Sequence, residues 1–334
     1  MKILLVNPPR SPENKILEYA PAEAKRFIHK KLVGPPLGLL TIAAAVKDFD
    51  VTLVDLKGEY DLLPDSPPLV QLIRKYLEET NPDIVGVTCI ASEFPYGIEI
   101  LREAKKFNPR ILTVAGGLHT VLSLKDFALP EVDIVCQGQS ADIFREVVMA
   151  HSQNKSFEHI GGLYINKNNV LQLTKPPRAQ WNPANENFIM PDRSLLKRWI
   201  NTYIVGGRPV PATYLFTSLG CPYQCSFCSI WPQFDKRFYQ RRLESIIEEL
   251  KLIPEYKIVR FADANTIVDV EFISRLFDRI IEERIDKEYV MDIRFDTTVK
   301  YPWLIEKLAK AGLKVVICGF ESFRDEELKR YRKD

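Results

Sequence analysis

Leu219-Gly220-Cys221-Pro222-Tyr223-Gln224-Cys225-Ser226-Phe227-Cys228 decides how the rest of the chain is read. Three of the six cysteines fall here, at C-x3-C-x2-C spacing. The preceding Ala212-Thr213-Tyr214-Leu215-Phe216-Thr217 is β-branched and aromatic and predicts a strand. Gly220 and Pro222 end that strand, so the cysteines sit on a loop at its end. A loop lets three thiolates converge on one inorganic centre, whereas a strand would alternate them between faces. Thiolates this close in sequence are typical iron–sulfur ligands. Three of them leave one iron of a four-iron cluster open to a substrate. Structural zinc usually takes four ligands, often as two separated pairs. Here a fourth would have to come from Cys89, Cys136, Cys318 or one of four histidines, none of them nearby in sequence. A disulfide is disfavoured in a chain without a secretory signal.

The bulk numbers set the frame. A length of 334 residues suggests two domains. Apolar content of 46% and charged content of 27% describe an ordinary globular chain. A net charge of +2 implies no polyanionic partner, so no nucleic acid is expected. No apolar run reaches the length of a membrane span. Met1-Lys2-Ile3-Leu4-Leu5-Val6 is too short for a signal peptide and breaks at Asn7-Pro8-Pro9. The chain is therefore read as cytoplasmic, where thiols stay reduced.

Ahead of the cysteines the pattern alternates. Apolar strand patterns at 2–6, 51–55, 83–88, 111–115 and 133–136 are separated by helical patterns at 37–47, 69–79 and 94–106. Continuous apolar strands of this kind belong to buried parallel sheets. Residues 1–150 are thus expected to form a doubly wound parallel sheet, Rossmann-like in its layers. Ligands in such sheets sit beyond the carboxyl ends of the strands. The loops there are Asn7-Pro8-Pro9-Arg10, Thr88-Cys89-Ile90-Ala91-Ser92, Gly116-Gly117-Leu118-His119 and Gln137-Gly138-Gln139-Ser140. No G-x-G-x-x-G follows the first strand, so a dinucleotide is not favoured. Cys89 and Cys136 lie in apolar strand-end contexts and read as packed small hydrophobes. A lone loop histidine such as His119 reads first as a hydrogen-bonding group, although its position on the Gly-Gly turn keeps it among the candidates.

Residues 151–210 read as a joining region, with a β-hairpin at 161–173, a Pro- and Asn-rich passage over 175–187 and a short helix over 193–200. From 211 to 334 the order is strand, helix, repeated over four βα units, the third strand running from Tyr289 to Phe295. A closed eight-unit barrel needs about 250 residues. Polar groups at the strand ends are the site candidates in this architecture: Asp263, Asn265, Arg294, Asp296, Glu321 and Ser322. Helix capping is the other reading for Asp263, Asn265 and Asp296.

The cysteine segment resembles the signature of the radical S-adenosylmethionine (radical SAM) enzymes, with aromatic Phe227 just before the last cysteine. The resemblance implies that Cys221, Cys225 and Cys228 hold a [4Fe-4S] cluster whose open iron chelates SAM. It places Phe227 against the adenine, Asp263 and Asn265 near the SAM amino group, Arg294 at the carboxylate, and Glu321 or Ser322 at the ribose or methionyl end. The family's partial barrel usually has six strands, so four units are expected to be a C-terminally shortened barrel.

A second resemblance lies upstream. Thr88-x-Ile90 followed by Gly116-Gly117 is similar to the S-x-L and G-G motifs of cobalamin-binding domains. The D-x-H-x-x-G motif that carries a cobalt ligand in many of them is replaced by Asn7-Pro8-Pro9-Arg10. That departure looks like the radical SAM branch of cobalamin proteins, whose lower cobalt face has no histidine. The implied cobalamin contacts are Asn7, Pro8, Pro9, Thr88, Ile90, Ser92, Gly116, Gly117, His119, Gly138 and Gln139. The two resemblances together imply a cobalamin-dependent radical SAM enzyme that transfers a methyl group to a poorly activated carbon. An oxidative cyclase of the tetrapyrrole type, or another cobalamin-dependent rearrangement, is the alternative, and a non-catalytic or truncated cobalamin-binding protein the second. A low-potential donor of the flavodoxin or ferredoxin type and a small-molecule, lipid or tetrapyrrole-like substrate are the implied partners.

Overall fold

The computed structural model describes residues 1–9, 34–62, 67–138, 140–176, 188–205, 210–234 and 236–333. It divides into two units, residues 1–181 with 189–202 and residues 182–188 with 203–334.

The first unit is built on a seven-stranded sheet. In chain order it contains β1 (Lys2–Asn7), α1 (Leu37–Ala45), β2 (Asp50–Asp55), α2 (Leu56–Leu62), α3 (Leu69–Thr80), β3 (Ile84–Thr88), α4 (Phe94–Phe107), β4 (Leu112–Gly116), α5 (Leu118–Leu122), β5 (Ile134–Cys136), α6 (Ala141–Ser152), β6 (Leu163–Lys167) and β7 (Val170–Leu173). The strand order is β2-β1-β3-β4-β5-β6-β7. The first five strands are parallel, and β6 and β7 add on antiparallel. The reversal of winding between β1 and β3 makes a topological switch point, whose crevice opens at the strands' carboxyl ends. Leu4, Val6, Val85, Val87, Ala115 and Val135 from the strands meet Leu72, Leu77, Ile100 and Leu101 from α3 and α4 in one buried core. Strands buried on both faces explain the unbroken apolar runs in the sequence.

Two features of the joining region attach to this unit. The hairpin is not separate: β6 hydrogen-bonds along β5 through Ile134–Ile165 and Cys136–Leu163. A 3-10 helix, Arg193–Thr202, seats Trp199 on Gly58, and Trp199 Nε1 donates to the buried Glu59 carboxylate at 3.0 Å. The expected Pro- and Asn-rich linker falls mostly outside the described residues.

The second unit contains β8 (Ala212–Leu215), β9 (Ser218–Gly220), β10 (Phe238–Gln240), α7 (Leu243–Lys251), β11 (Ile258–Phe261), α8 (Val270–Glu282), β12 (Glu288–Asp292), α9 (Phe295–Lys300), α10 (Pro302–Lys310), β13 (Leu313–Ile317) and α11 (Asp325–Arg330). β8, β11, β12 and β13 form an open parallel sheet in the order β13-β12-β11-β8. Phe261, Phe277 and Tyr289 pack edge-on and tilted in its core.

Two expectations change here. The single strand read over 212–217 is two strands with a corner at Phe216–Thr217, because β9 leaves the parallel sheet to pair antiparallel with β10. The strand read to Phe295 ends at Asp292, and Phe295 opens a helix. The β-branched and aromatic composition cannot mark where a strand changes sheet.

Candidate cofactor sites

In the first unit three strand-end loops are stitched into one rim. The Cys89 backbone N–H donates to Gly116 O at 2.9 Å, and that of His119 donates to Cys89 O at 2.9 Å. Thr120 Oγ1 donates to Gly117 O at 2.8 Å, and Gln137 Nε2 to Thr120 O at 2.5 Å. Thr88, Gly116, Gly117, His119 and the approach to Gly138 therefore come together. Gly117 has φ of +95°, and a Cβ there would lie 2.6 Å from both Cys89 N and Thr88 Oγ1. The glycine is thus required by the neighbouring loop before any cofactor is considered. Ile90, Ser92 and Gly138 are exposed on this rim. Gln139 lies outside the described residues.

Asn7, Pro8 and Pro9 are buried. Asn7 Nδ2 donates to Asp55 Oδ1 at 2.7 Å, with both residues nearly sealed from solvent. The switch-point loop is held by this pair. Asp55, at the end of β2, was not singled out in the sequence; its signal was a carboxylate closing an otherwise apolar strand. His119 is occupied as well. Its Nε2 lies 2.9 Å from Asp126 Oδ2, and its ring sits between Phe94 and Phe127 at 4.9 and 5.6 Å. The hydrogen-bonding reading of His119 describes it well. Burial pushes the Cys89 and Cys136 thiols up to about 12, so both are packed thiols.

In the second unit the cysteines rise from a stem. β9 and β10 pair over Ser218–Gly220 and Phe238–Gln240, closing the loop that carries Cys221, Cys225 and Cys228. Gly220 has φ of +77°, with Arg237 O directly against the position of a Cβ. Cys221 is buried, and Cys225 and Cys228 are partly exposed. Burial raises the Cys221 thiol; a backbone hydrogen bond from Tyr223 opposes this, the Cys228 and Cys225 charges add to it, and Arg294 lowers it again. The three thiols and Arg294 therefore feel one another. Among the described residues no three His, Cys, Asp or Glu side chains converge on a single metal ion. A cubane cluster asks for something else, one thiolate per iron around a volume, and three closely spaced thiols on one loop raised on a fixed stem fit that.

The strand-end candidates of this unit separate into two groups. Arg294 stays near the cysteines. Its guanidinium lies 4.1 Å from the Tyr223 ring centre, and Nε donates to Asp296 Oδ1 at 2.9 Å. Burial raises the Asp296 carboxyl, and hydrogen bonding and charge from Arg294, helped by Lys300, outweigh it and bring it below its ordinary value. Asn265 Oδ1 accepts the Arg294 backbone N–H at 3.2 Å, fixing the end of β12 to that of β11. Phe227 is 55% exposed, and its ring stands nearly perpendicular to that of Tyr331 with centres 5.9 Å apart. Glu321 takes a left-handed φ of +47° and pairs with Lys333. Ser322 Oγ accepts the Arg324 backbone N–H at 3.0 Å, at the start of α11.

Asp263 belongs to the second group. It is 5% exposed, and its carboxylate accepts Thr217 N, Ser218 N and Thr217 Oγ1 at 2.7–2.8 Å. It caps no helix; Asp269 does that for α8 by accepting Phe272 N at 2.8 Å. Sequence reading also passed over Arg241, which is fully buried behind the same corner.

A parallel sheet with its switch point at β1/β3, followed by a βα sheet with a tricysteine loop at its carboxyl end, defines a two-domain cofactor protein. Residues 27–148 match the B12 binding domain family, and residues 215–334 match the Radical SAM superfamily. The chain belongs to the cobalamin-binding radical SAM proteins. It is 31% identical over 332 residues to an uncharacterized methyltransferase of Pyrococcus horikoshii, covering 96% of this chain and 66% of that one. It is 25% identical over 306 residues to the hopanoid C-3 methylase of Methylococcus capsulatus, covering 89% and 55%. It is 24% identical over 275 residues to the anaerobic magnesium-protoporphyrin IX monomethyl ester cyclase of Cereibacter sphaeroides, covering 78% and 44%. The chain thus spans between 44% and 66% of the length of these relatives. Its fold matches the radical S-adenosylmethionine methyltransferase TsrM from Kitasatospora setae, with a TM-score of 0.71 over 99% of this chain and 63% of that one at 20% identity. Among the described residues no helix is long and apolar enough to cross a membrane.

Proposed function

We propose that this chain binds a [4Fe-4S] cluster, SAM and cobalamin, and transfers a methyl group to a poorly activated carbon of a small-molecule, lipid or tetrapyrrole-like substrate. The observation that carries the reading is the tricysteine loop, raised on the β9–β10 stem with Arg294 in electrostatic reach of its thiols. When bound, the cluster and SAM supply a radical and the cobalamin carries the methyl group.

The chain's own groups then have these roles. Cys221, Cys225 and Cys228 are the cluster ligands. Arg294, steadied by Asp296 and Tyr223, offers a cation to the SAM carboxylate. The exposed face of Phe227 offers a stacking surface for the adenine, and Glu321 and Ser322 sit toward the ribose or methionyl end. In the first unit Thr88, Ile90, Ser92, Gly116, Gly117 and Gly138 form the cobalamin rim. Asn7, Pro8 and Pro9 shape the switch-point floor, and His119 supports the rim through Asp126 without reaching cobalt. A donor of the flavodoxin or ferredoxin type supplies the electron. Six free cysteines suit a reducing, cytoplasmic setting.

Anaerobic incubation with SAM, hydroxocobalamin and a low-potential reductant tests this. Formation of 5′-deoxyadenosine together with S-adenosylhomocysteine supports methyl transfer. 5′-Deoxyadenosine alone would favour the cyclase reaction, and neither product would leave a cobalamin-binding role only.

A further inference from the structure

The corner between β8 and β9 is gripped by two buried side chains of opposite charge. Asp263, just past β11, takes the donors on one side. Oδ1 accepts Thr217 N and Ser218 N at 2.8 Å each, and Oδ2 accepts Thr217 Oγ1 at 2.7 Å. Arg241, just past β10, takes the acceptors. Its Nη1 donates to Phe216 O at 3.1 Å, and its backbone N–H donates to Thr217 O at 2.9 Å. Gln240 Nε2 adds a bond to Thr217 O at 2.7 Å. Arg241 is itself fixed. Its Nη2 donates to Ser245 O at 2.7 Å, its guanidinium pairs with buried Glu249, and the Phe188 ring centre lies 3.5 Å away.

Two buried charges are costly unless every oxygen and N–H finds a partner. Here three of those partners, Thr217 N, Ser218 N and Phe216 O, are peptide groups of the corner itself. The chain must leave the parallel sheet at this point to start the stem, and doing so leaves the peptide groups of Phe216 and Thr217 outside either ladder. A carboxylate and a guanidinium satisfy them and fix the direction in which the stem departs. Cys221 follows three residues after Ser218.

We propose that Asp263 and Arg241 are positioning residues for the cysteine loop, acting through the Phe216–Ser218 corner, and that the Asp263 carboxylate does not itself contact SAM. The inference rests on the cluster reading given above, and it reassigns a strand-end carboxylate from ligand contact to loop placement.

Four variants separate the roles. Asn in place of Asp263 keeps the shape: its Oδ1 can accept both N–H groups, and its Nδ2 can donate to a reoriented Thr217 hydroxyl. Ala keeps none of this. Hydrogen exchange across residues 213–221 is measured in metal-free protein, so the readout does not depend on the cluster. Cluster content and the response of its paramagnetic resonance signal to SAM follow after anaerobic reconstitution. In Asp263→Ala, exchange at Thr217 and Ser218 rises about tenfold or more and cluster content falls, because buried donors lose their acceptor. In Asp263→Asn, protection, cluster and SAM response all stay near wild type. Arg241→Lys, which lacks the planar fork, loosens the corner to a lesser degree. If Asp263→Ala does not fold, Thr217→Val carries the test by raising corner exchange through loss of the hydroxyl bond alone. The proposal is overturned if Asp263→Asn keeps the cluster and the corner protection but loses the SAM response. It is also overturned if neither Asp263→Ala nor Thr217→Val changes corner exchange. If wild-type protein takes up no cluster, the cofactor reading fails while the exchange data still judge the corner.

Discussion

The two cofactor rims solve one problem in different ways. Each must hold an irregular loop at the carboxyl end of a parallel sheet, where backbone groups have left the ladder. The rim of the first unit is held by backbone to backbone bonds, Cys89 to Gly116 and His119 to Cys89, which close because Gly117 has no Cβ, and by the uncharged side chains of Thr120 and Gln137. The cysteine stem of the second unit is held by side chains, the Asp263 and Arg241 pair, because its loop must leave the sheet altogether. A loop that only turns back needs a glycine. A loop that departs needs charged groups brought from other strands, and their burial is tolerated because every bond is made.

The sharpest break of this comparison is at the cysteines. Cys225→Ala should remove essentially all iron from anaerobically reconstituted protein, where wild type carries about four irons per chain. Cys89→Ala should keep the full complement, because Cys89 is packed against Gly97 and its thiol is pushed up to about 12 by burial. Iron and sulfide analysis reads both.

Next in size is Gly117→Val. A β-branched residue at φ of +95°, with its Cβ driven into Cys89 N, should cost the first unit about 3 kcal/mol or more. Denaturant unfolding would show the loss, and cobalamin uptake followed by absorption should disappear with it. The same substitution at Gly38, where a Cβ meets nothing within 4 Å, should be tolerated far better.

The charged stem predicts a pH dependence of its own. Burial raises the Asp263 carboxyl to about 6 against the bonds from Thr217 and Ser218, while an unfolded aspartate titrates near 3.9. The folded state therefore binds this proton more tightly than the unfolded state. The contribution of Asp263 to stability should fall as pH rises from about 4 to about 6, then level, for a total of about 2–3 kcal/mol. Asp263→Asn should flatten that part of the curve in urea unfolding.

The smallest effect is expected at His119. His119→Ala removes a bond to Asp126 and two ring contacts, costing about 1–2 kcal/mol, and should leave the cob(II) resonance without change.

What the sequence made legible follows the same division. The parallel strands, the helices at 37–47, 69–79 and 94–106 and the three closely spaced cysteines were readable, because apolar periodicity and cysteine spacing are local signals. The Gly116-Gly117 turn was readable for its position but not for its reason, which is the approach of Thr88 and Cys89 from a distant strand. Asp263 was readable only as a strand-end carboxylate. That it serves Thr217, forty-six residues earlier in the chain, is a tertiary fact with no local mark. Arg241 in Gln240-Arg241-Arg242 carries no local mark, and only its partners Ser245, Glu249 and Phe216 show it to be interior. The helix at Phe295–Lys300 was hidden because the preceding strand pattern runs into it without a breaker.

The central claim is that the tricysteine loop carries a cluster with one iron open to SAM. Paramagnetic resonance of the reduced, anaerobically reconstituted protein, with and without SAM, tests it most directly. The account predicts a [4Fe-4S] signal whose g-values shift when SAM is added. A signal that SAM leaves unchanged, or tightly bound zinc in place of iron, would contradict it.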